Sequence, residues 1–262
     1  MLKLFSLRRW DTYCLLAIAS VTWLIITTIR THRSLTTVQR LHATSETLHH
    51  VRASARGTEP AWIIRHAQIV KRAQLQDYDV MLLGDSITQG WDYQAKVWRS
   101  QFPRVRTLNA GIASDRVEHV LWRVRHGLFT HAKPKAVVLM AGINNLAVTS
   151  PQEIAGGLEQ IITAIHRRSP STQILLLGLL PSGESASHPR RAKILKVNKL
   201  VAKLADGAHT HYLDAGSRFL TVDGAFTRSV STDGVHLTHQ GYEIWAKSLR
   251  TKLPELLGTV SH

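Results

Sequence analysis

Four short polar segments of the sequence carry the residue types that acyl transfer requires. The stretch DVMLLGDSITQGW places Ser86 after a glycine and an aspartate, and STDGVHLTHQGY places Asp233 three residues before His236. Gly111 and Asn144 lie between these two segments in the chain. Acyl transfer to a serine needs a nucleophile, a base, an acid that orients the base, and donors for an oxyanion. The four segments together supply all of these groups.

Each segment also has a simpler structural interpretation. A Gly-Asp-Ser tripeptide is common in turns, Gly111 alone fits a loop position with positive φ, and Asn144 alone fits a turn or a helix cap. Asp233 and His236 alone fit a surface pair at i, i+3 spacing. The combination favours a site, because all four segments fall at the ends of expected strands or just before the last expected helix.

Apolar runs that alternate with amphipathic stretches indicate a parallel sheet covered by helices on both faces. The clearest helix is expected to begin at Pro151, because Ile154, Leu158 and Ile161 share one apolar face. Ligands bind such sheets at the carboxyl ends of the strands, which is where the polar segments are expected. The expected strands are Val80–Leu83, Val105–Leu108, Ala136–Met140, Ile174–Leu177 and Tyr212–Leu213.

The four segments resemble the conserved blocks of the SGNH (GDSL-type) hydrolases. The matching residues are Gly84-Asp85-Ser86, Gly111, Gly142-x-Asn144 and Asp233-x-x-His236. The stretches HVLWRVRHGLFTHAKPKAVVLMAGINN and AGGLEQIITAIHRRSPSTQILLLGLLPSGE further resemble the catalytic subunits of intracellular platelet-activating factor acetylhydrolase. The resemblance covers residues 61 to 256 and implies a flavodoxin-like three-layer α/β/α sandwich with a parallel sheet.

The resemblance also implies a role for each site residue. Ser86 would be the nucleophile, His236 the general base and Asp233 the acid that pairs with it. The backbone N–H groups of Ser86 and Gly111 and the side-chain amide of Asn144 would form the oxyanion hole. One departure is Ala113-Ser114, which stands after Gly111 where many family members carry glycine.

No metal or organic cofactor is expected. The sequence contains neither an HExxH motif nor another close spacing of metal ligands, and its single cysteine, Cys14, rules out sites built on several thiolates. Asp85 is not expected to activate the neighbouring serine, because adjacent side chains near a strand end point apart. The expected role of Asp85 is to brace the turn through local hydrogen bonds.

The N-terminal part of the chain has a different character. Residues 12–29 carry no charge and would span about 27 Å as a helix, which is enough for the hydrocarbon core. A cleaved signal peptide and a buried core helix are the alternatives, and a single-pass transmembrane signal-anchor is the preferred interpretation. Residues 1–11 then form a short basic N-terminus, residues 30–60 a polar basic stalk, and residues 61–262 the hydrolase domain.

Charge gives further constraints on partners and on orientation. The chain has 33 Lys and Arg against 18 Asp and Glu, a formal charge of +15. These basic residues are scattered rather than clustered, so anionic membrane headgroups fit them better than nucleic acid does. Basic residues on the two sides of the apolar span nearly balance. The preferred orientation puts the catalytic domain outside the cytoplasm, in the periplasm if the source is bacterial.

The sequence therefore predicts a membrane-anchored serine esterase that releases a short acyl group, with acetyl expected, from an O-acetylated glycan or a lipid. Alternatives are a lysophospholipase or thioesterase of the same fold, or a catalytically silent envelope-binding module. Residues 181–193 follow a strand end and are expected to form a solvated loop, and a wall of the pocket for the alcohol part of the ester is the alternative. A homodimer is implied by the resemblance, and the sequence leaves it open.

Overall fold

The computed structural model of the chain describes residues 51–56 and 59–258. The predicted N-terminus (1–11), the predicted membrane segment (12–29) and residues 30–50 of the predicted stalk lie outside these ranges. Among the helices of the described ranges, none is long and apolar enough to cross a bilayer.

Five parallel strands form the central sheet of the described residues. Their spatial order is β2-β1-β3-β4-β5, which is the flavodoxin-like order, and the predicted α/β fold class is confirmed. The strand order reverses between β1 and β3, so β1 ends at the point where open α/β sheets bind ligands. The strands are β1 (Val80–Gly84), β2 (Thr107–Gly111), β3 (Ala136–Met140), β4 (Gln173–Leu177) and β5 (Thr210–Leu213).

Helices connect the strands and cover the sheet. Helices α4, α5 and α6 pack side by side, whereas α3 packs against α7. Right-handed crossovers on the two sides of the β1–β3 reversal put these two groups on opposite faces of the sheet, which gives three layers. The helices are α1 (Pro60–Leu75), α2 (Ser86–Gln89), α3 (Ala95–Gln101), α4 (Val117–Arg123), α5 (Pro151–Arg168), α6 (Pro189–Val201), α7 (His239–Leu249) and α8 (Lys252–Leu256).

Burial explains which elements the sequence predicted well. Every residue of β1 and β3 is buried, as expected for strands with helices on both faces. Helix α5 begins at Pro151, as predicted, because a capping box fixes its first turn. The Ser150 Oγ accepts from the Glu153 N–H at 3.2 Å, and the Glu153 carboxylate accepts from the Ser150 N–H at 2.8 Å.

The predicted position of the second strand is wrong. Strand β2 begins two residues later than expected, at Thr107, and continues through Gly111. Asp79 accepts from the backbone N–H and the guanidinium of Arg106, both at 3.1 Å, which fixes the chain just before the strand. The pairing of Val80 with Thr107 then sets the register along the two strands. Asn109 and Gly111 concealed the strand end, because a polar residue and a glycine indicate a loop.

The predicted boundary between stalk and domain also needs correction. Residues 51–56, which were assigned to the stalk, pack onto the domain. The Ser54 N–H donates to the Glu118 carbonyl at 3.2 Å, and the Arg56 Nη1 donates to the Ala113 carbonyl at 2.7 Å. Val51 packs against the hydrophobic core. The folded domain therefore includes residues N-terminal to residue 61.

Candidate active site

Ser86, His236 and Asp233 form a continuous hydrogen-bonded chain. The Ser86 Oγ lies 2.9 Å from the His236 Nε2, and the His236 Nδ1 lies 2.7 Å from the Asp233 Oδ2. A carboxylate can only accept, so the Nδ1 carries the hydrogen and the Nε2 is left to accept from the serine hydroxyl. The structure thus brings the three predicted residues into the arrangement of nucleophile, base and orienting acid.

A tight loop before α7 holds the Asp233–His236 pair. The Asp233 Oδ1 accepts from the backbone N–H groups of Val235 at 2.9 Å and His236 at 2.7 Å. An antiparallel bridge between Ser231 and Leu237 closes the loop. A spacing of three residues also fits one helical turn, but this loop is not helical. An aspartate turn brings the two side chains together instead.

The hydrogen bonds of Asp233 keep its carboxylate ionised. Partial burial raises the pKa of Asp233, but the His236 ring and the N–H groups of His236 and Val235 outweigh this effect and leave the pKa below its usual value. The Asp233 side chain is 53% exposed, so solvent also stabilises its charge. A permanent negative charge at this position can stabilise an imidazolium at His236.

The turn that presents Ser86 depends on its two preceding residues. Asp85 caps the short helix α2, and its Oδ1 accepts from the Ile87 N–H at 3.0 Å. This is the local bracing role predicted for Asp85. A Cβ at Gly84 would lie 2.2 Å from the Met140 carbonyl oxygen. Gly84 is therefore needed because β3 approaches closely, in addition to ending the strand.

Asp85 lies in an unusual environment for a carboxyl group. It is 1% exposed, and its Oδ2 has no hydrogen-bond partner among the described residues. Burial and, to a smaller extent, the charge of Asp115 raise the pKa of Asp85 to about 7, against the opposing effects of the Ile87 N–H, His236 and Arg123. Asp85 is thus a buried capping group that holds its proton up to neutral pH.

Two of the predicted oxyanion donors, the Asn144 amide and the Gly111 N–H, differ in their hydrogen-bond acceptors. Asn144 follows β3, and its Nδ2 donates to the Asp115 carbonyl at 2.9 Å, so its amide faces the loop after β2. The Gly111 N–H instead donates to the Asn109 Oδ1 at 2.9 Å. A Cβ at Gly111 would also lie 2.3 Å from the Gln89 nitrogen, which is a packing reason for glycine. The oxyanion role of Gly111 stays a prediction.

Ser114 offers a donor that the sequence reasoning missed. Among the described residues it is the non-glycine residue with positive φ, at 61°. Its N–H has no acceptor within the described part of the chain, whereas the neighbouring Ala113 N–H donates to the Gln89 Oε1 at 2.7 Å. The replacement of glycine by Ala113-Ser114 was the available signal, since glycine is the residue that favours this backbone conformation.

Residues 181–193 form one wall of a cavity of about 410 Å³, which is mostly aliphatic and is also lined by Leu179, Ile194, Leu195 and Leu220. The Arg191 Nε and Nη2 donate to the carbonyls of Ser182 at 3.0 Å and Gly183 at 2.9 Å. The Gly183 N–H donates to the Gly234 carbonyl at 2.8 Å. This segment is therefore tied to the catalytic loop at Gly183, while residues 184–187 are exposed to solvent and the residues from Pro189 onward begin α6.

Comparison with known proteins identifies the family of the chain. The sequence model of the GDSL-like lipase/acylhydrolase family matches residues 82–244, which contain all five predicted site residues. The chain belongs to this family and is an acylhydrolase, so the predicted family is confirmed.

One relative is the human platelet-activating factor acetylhydrolase IB subunit alpha2, which is 38% identical over 197 residues, 75% of this chain and 85% of the relative. Two solved structures share the fold. An acylhydrolase from Bacteroides fragilis matches with a TM-score of 0.64 and 21% identity, over 76% of this chain and 99% of its own. An acetyl-xylooligosaccharide esterase from Geobacillus matches with a TM-score of 0.56 and 17% identity, over 72% and 100%.

The raised pKa of Asp85 predicts how stability depends on pH. The folded pKa of about 7 lies above the ordinary value of 3.8, so the folded protein binds this proton more tightly than the unfolded chain does. The contribution of Asp85 to the free energy of unfolding is therefore largest below pH ~4 and is lost as pH rises to ~7. Asp85→Asn cannot titrate, so its stability relative to wild type should rise over this range in urea unfolding.

Asp206 provides a control with the opposite sign. Backbone N–H groups, of which that of Thr210 has the largest effect, lower the pKa of Asp206 to about 2. Asp206→Asn should therefore lose stability relative to wild type as pH rises from ~2 to ~4. A stability difference for Asp85→Asn that does not change with pH would contradict the assignment.

The contacts of His236 predict unequal effects of the two aspartates on turnover. Asp233→Asn removes the acceptor that fixes the imidazole tautomer, and the corresponding change in a serine-protease triad lowers turnover by about 10⁴. Asp85→Asn keeps the oxygen that caps α2, so its turnover should stay within a few-fold of wild type. The measurement is the kcat for p-nitrophenyl acetate. Equal losses in the two variants would exclude Asp233 as the specific partner of His236.

Proposed function

We propose that the protein is a serine esterase that hydrolyses short-chain carboxylic esters, acetyl esters foremost, through an acyl-Ser86 intermediate. The observation that carries this proposal is the hydrogen-bonded chain from Asp233 through His236 to the Ser86 hydroxyl. The His236 and Asp233 side chains are 49% and 53% exposed, so an ester can reach them from solvent.

The first half of the reaction transfers the acyl group to the enzyme. The His236 Nε2 accepts the hydroxyl proton as the Ser86 Oγ attacks the ester carbonyl carbon, and Asp233 stabilises the imidazolium that results. The oxyanion is received by the Ser86 N–H, the Ser114 N–H and the Asn144 amide. The tetrahedral intermediate then expels the alcohol, which takes its proton from His236.

Water completes the cycle. His236 takes a proton from a water molecule as its oxygen attacks the acyl carbon, and the same donors hold the second oxyanion. Collapse of this intermediate breaks the bond to the Ser86 Oγ, which recovers its proton from His236, and releases the carboxylic acid. Removing one oxyanion donor in such a site typically lowers turnover by about 10²–10³.

Different observations support the proposed acyl group and the proposed alcohol part of the ester. The relative that is 38% identical is named an acetylhydrolase of platelet-activating factor, which supports acetyl as the acyl group and a lipid as the alcohol. The aliphatic cavity beside the catalytic loop also favours a lipid over an O-acetylated glycan. The same cavity is the observation that favours the second candidate, a lysophospholipase or thioesterase that acts on longer acyl chains.

We further propose that residues 12–29 anchor the chain as a single-pass span with the catalytic domain outside the cytoplasm. Support comes from the uncharged apolar length of this segment and from the surplus of basic residues.

An active-site probe and an acyl-length series test the esterase proposal together. A fluorophosphonate should label the wild-type chain and spare Ser86→Ala, while the matched control Ser185→Ala, on the exposed cavity segment, should label like wild type. With p-nitrophenyl esters of two to sixteen carbons, kcat/KM should be highest at two carbons. Equal labelling of wild type and Ser86→Ala would exclude Ser86 as nucleophile, and highest activity at long chains would favour the second candidate.

The membrane proposal predicts that arginine substitutions within residues 12–29 move the chain from the membrane fraction to the soluble fraction. A charged residue at the centre of a membrane helix costs about 2.5–3.5 kcal/mol in insertion, so Ile18→Arg with Val21→Arg, which flank the centre of residues 12–29, should release the full-length chain from membranes. The measurement is extraction with alkaline carbonate, with Ile18→Leu and Val21→Leu as the matched control. Release of the wild type under the same conditions would exclude an anchor.

A further inference from the structure

Arg123 is a charged side chain buried beneath the candidate active site. It is 0% exposed and ends α4. Its Nη1 donates to the Ala110 carbonyl at 2.7 Å, and its Nη2 donates to the Gly84 carbonyl at 3.1 Å. The Nη2 also forms an ion pair with the Asp115 Oδ2 at 2.7 Å. One guanidinium thus joins the end of β1, the end of β2 and the loop that follows β2.

Two of these three contacts, with Gly84 and with Asp115, lie close to proposed oxyanion donors. Gly84 stands two residues before Ser86, and its carbonyl also accepts from the Ile112 N–H at 3.1 Å, which ties β1 to the loop after β2. Asp115 directly follows Ser114, and its carbonyl accepts from the Asn144 amide at 2.9 Å. Displacement of the guanidinium would therefore move all three donors relative to one another.

The chemistry of the pair argues against a purely stabilising role. A buried ion pair is costly to desolvate, and well-packed apolar residues of similar volume often give equal or greater stability. Burial raises the pKa of the Asp115 carboxyl, although Arg123 and the Trp62 N–H, which donates to the Asp115 Oδ1 at 2.7 Å, oppose the shift. The planar guanidinium supplies several donors in a fixed geometry, which a lysine ammonium cannot reproduce.

We propose that Arg123 is a positioning residue for the oxyanion hole. It holds the Ser86 N–H, the Ser114 N–H and the Asn144 amide at the separation needed to bind one oxyanion, and Asp115 fixes its orientation. This inference rests on the proposed esterase function. Its expected signature is a loss of transition-state binding without a loss of substrate binding, because the guanidinium is buried and cannot reach the substrate.

The decisive variant removes the whole ion pair at once. Arg123→Met combined with Asp115→Leu leaves no unpaired buried charge, but it removes the partners of the Ala110 carbonyl and the Trp62 N–H, so the chain should fold with a lowered unfolding midpoint. For p-nitrophenyl acetate we expect kcat to fall at least about tenfold, towards the 10²–10³ loss seen when one oxyanion donor is removed, with KM nearly unchanged. The affinity for a trifluoromethyl ketone analogue, which forms an oxyanion on Ser86, should fall by the same factor as kcat/KM.

Two further variants keep the test decisive. Arg123→Lys retains a cation for Asp115 but cannot reach all three contacts of the guanidinium. Its kcat should therefore fall with KM nearly unchanged, but by a smaller factor than in the double variant. If the double variant does not fold, Arg123→Lys tests the positioning role alone. Thr172→Val is the matched control, because Thr172 is fully buried and donates to the Pro134 carbonyl at 2.7 Å. Both residues lie at the amino-terminal ends of β3 and β4, away from the candidate active site. Thr172→Val should lower stability and leave kcat unchanged.

The outcomes separate failure of this inference from failure of the proposed function. Folded Arg123 variants with wild-type kcat and wild-type analogue affinity would overturn the positioning role and leave the esterase proposal intact. A fall in kcat for Thr172→Val as large as that for Arg123→Lys would also overturn it, since the effect would then be general destabilisation. Absence of Ser86-dependent turnover in the wild-type chain would overturn both proposals.

Discussion

The ion pair between Arg123 and Asp115 lies where the helical layer, the sheet and the catalytic edge meet. Parallel strands leave carbonyl groups at their carboxyl ends that the next connection must satisfy, and here a guanidinium from α4 satisfies two of them. The position of the connection after β2 is therefore linked to that of the turn after β1. The rest of the site, including the serine turn and the asparagine of the β3 connection, is built onto this link.

The electrostatics beneath the site follow from the same arrangement. Asp85 and Asp115 are both buried, and burial raises the pKa of each carboxyl group. Asp115 forms an ion pair with the Arg123 guanidinium at 2.7 Å, whereas Asp85 forms no ion pair among the described residues. The proton is therefore held by Asp85. With Asp85 neutral, the Arg123–Asp115 pair has no excess charge beneath Ser86.

The sequence was informative where side-chain type reports position. Ser86 could be picked out because it follows a strand end, and Asp233 and His236 because they precede the last expected helix. Strand β3 was located because both of its faces are apolar. The residue types in the sequence do not report backbone geometry in the same way. The free N–H of Ser114 depends on a φ of 61°, which no pattern of polarity encodes. Arg123 was missed because an arginine within HVLWRVRHG suggests a solvent-exposed position on a helix.

The exposure of the triad bears on the fate of the acyl-enzyme. About half of the surface of the His236 and Asp233 side chains is open to solvent. Bulk water therefore reaches the base without the opening of a lid, and it greatly outnumbers any alcohol that diffuses to the site. We expect the acyl group to partition to water rather than to a second alcohol, so that the enzyme degrades esters and does not exchange them.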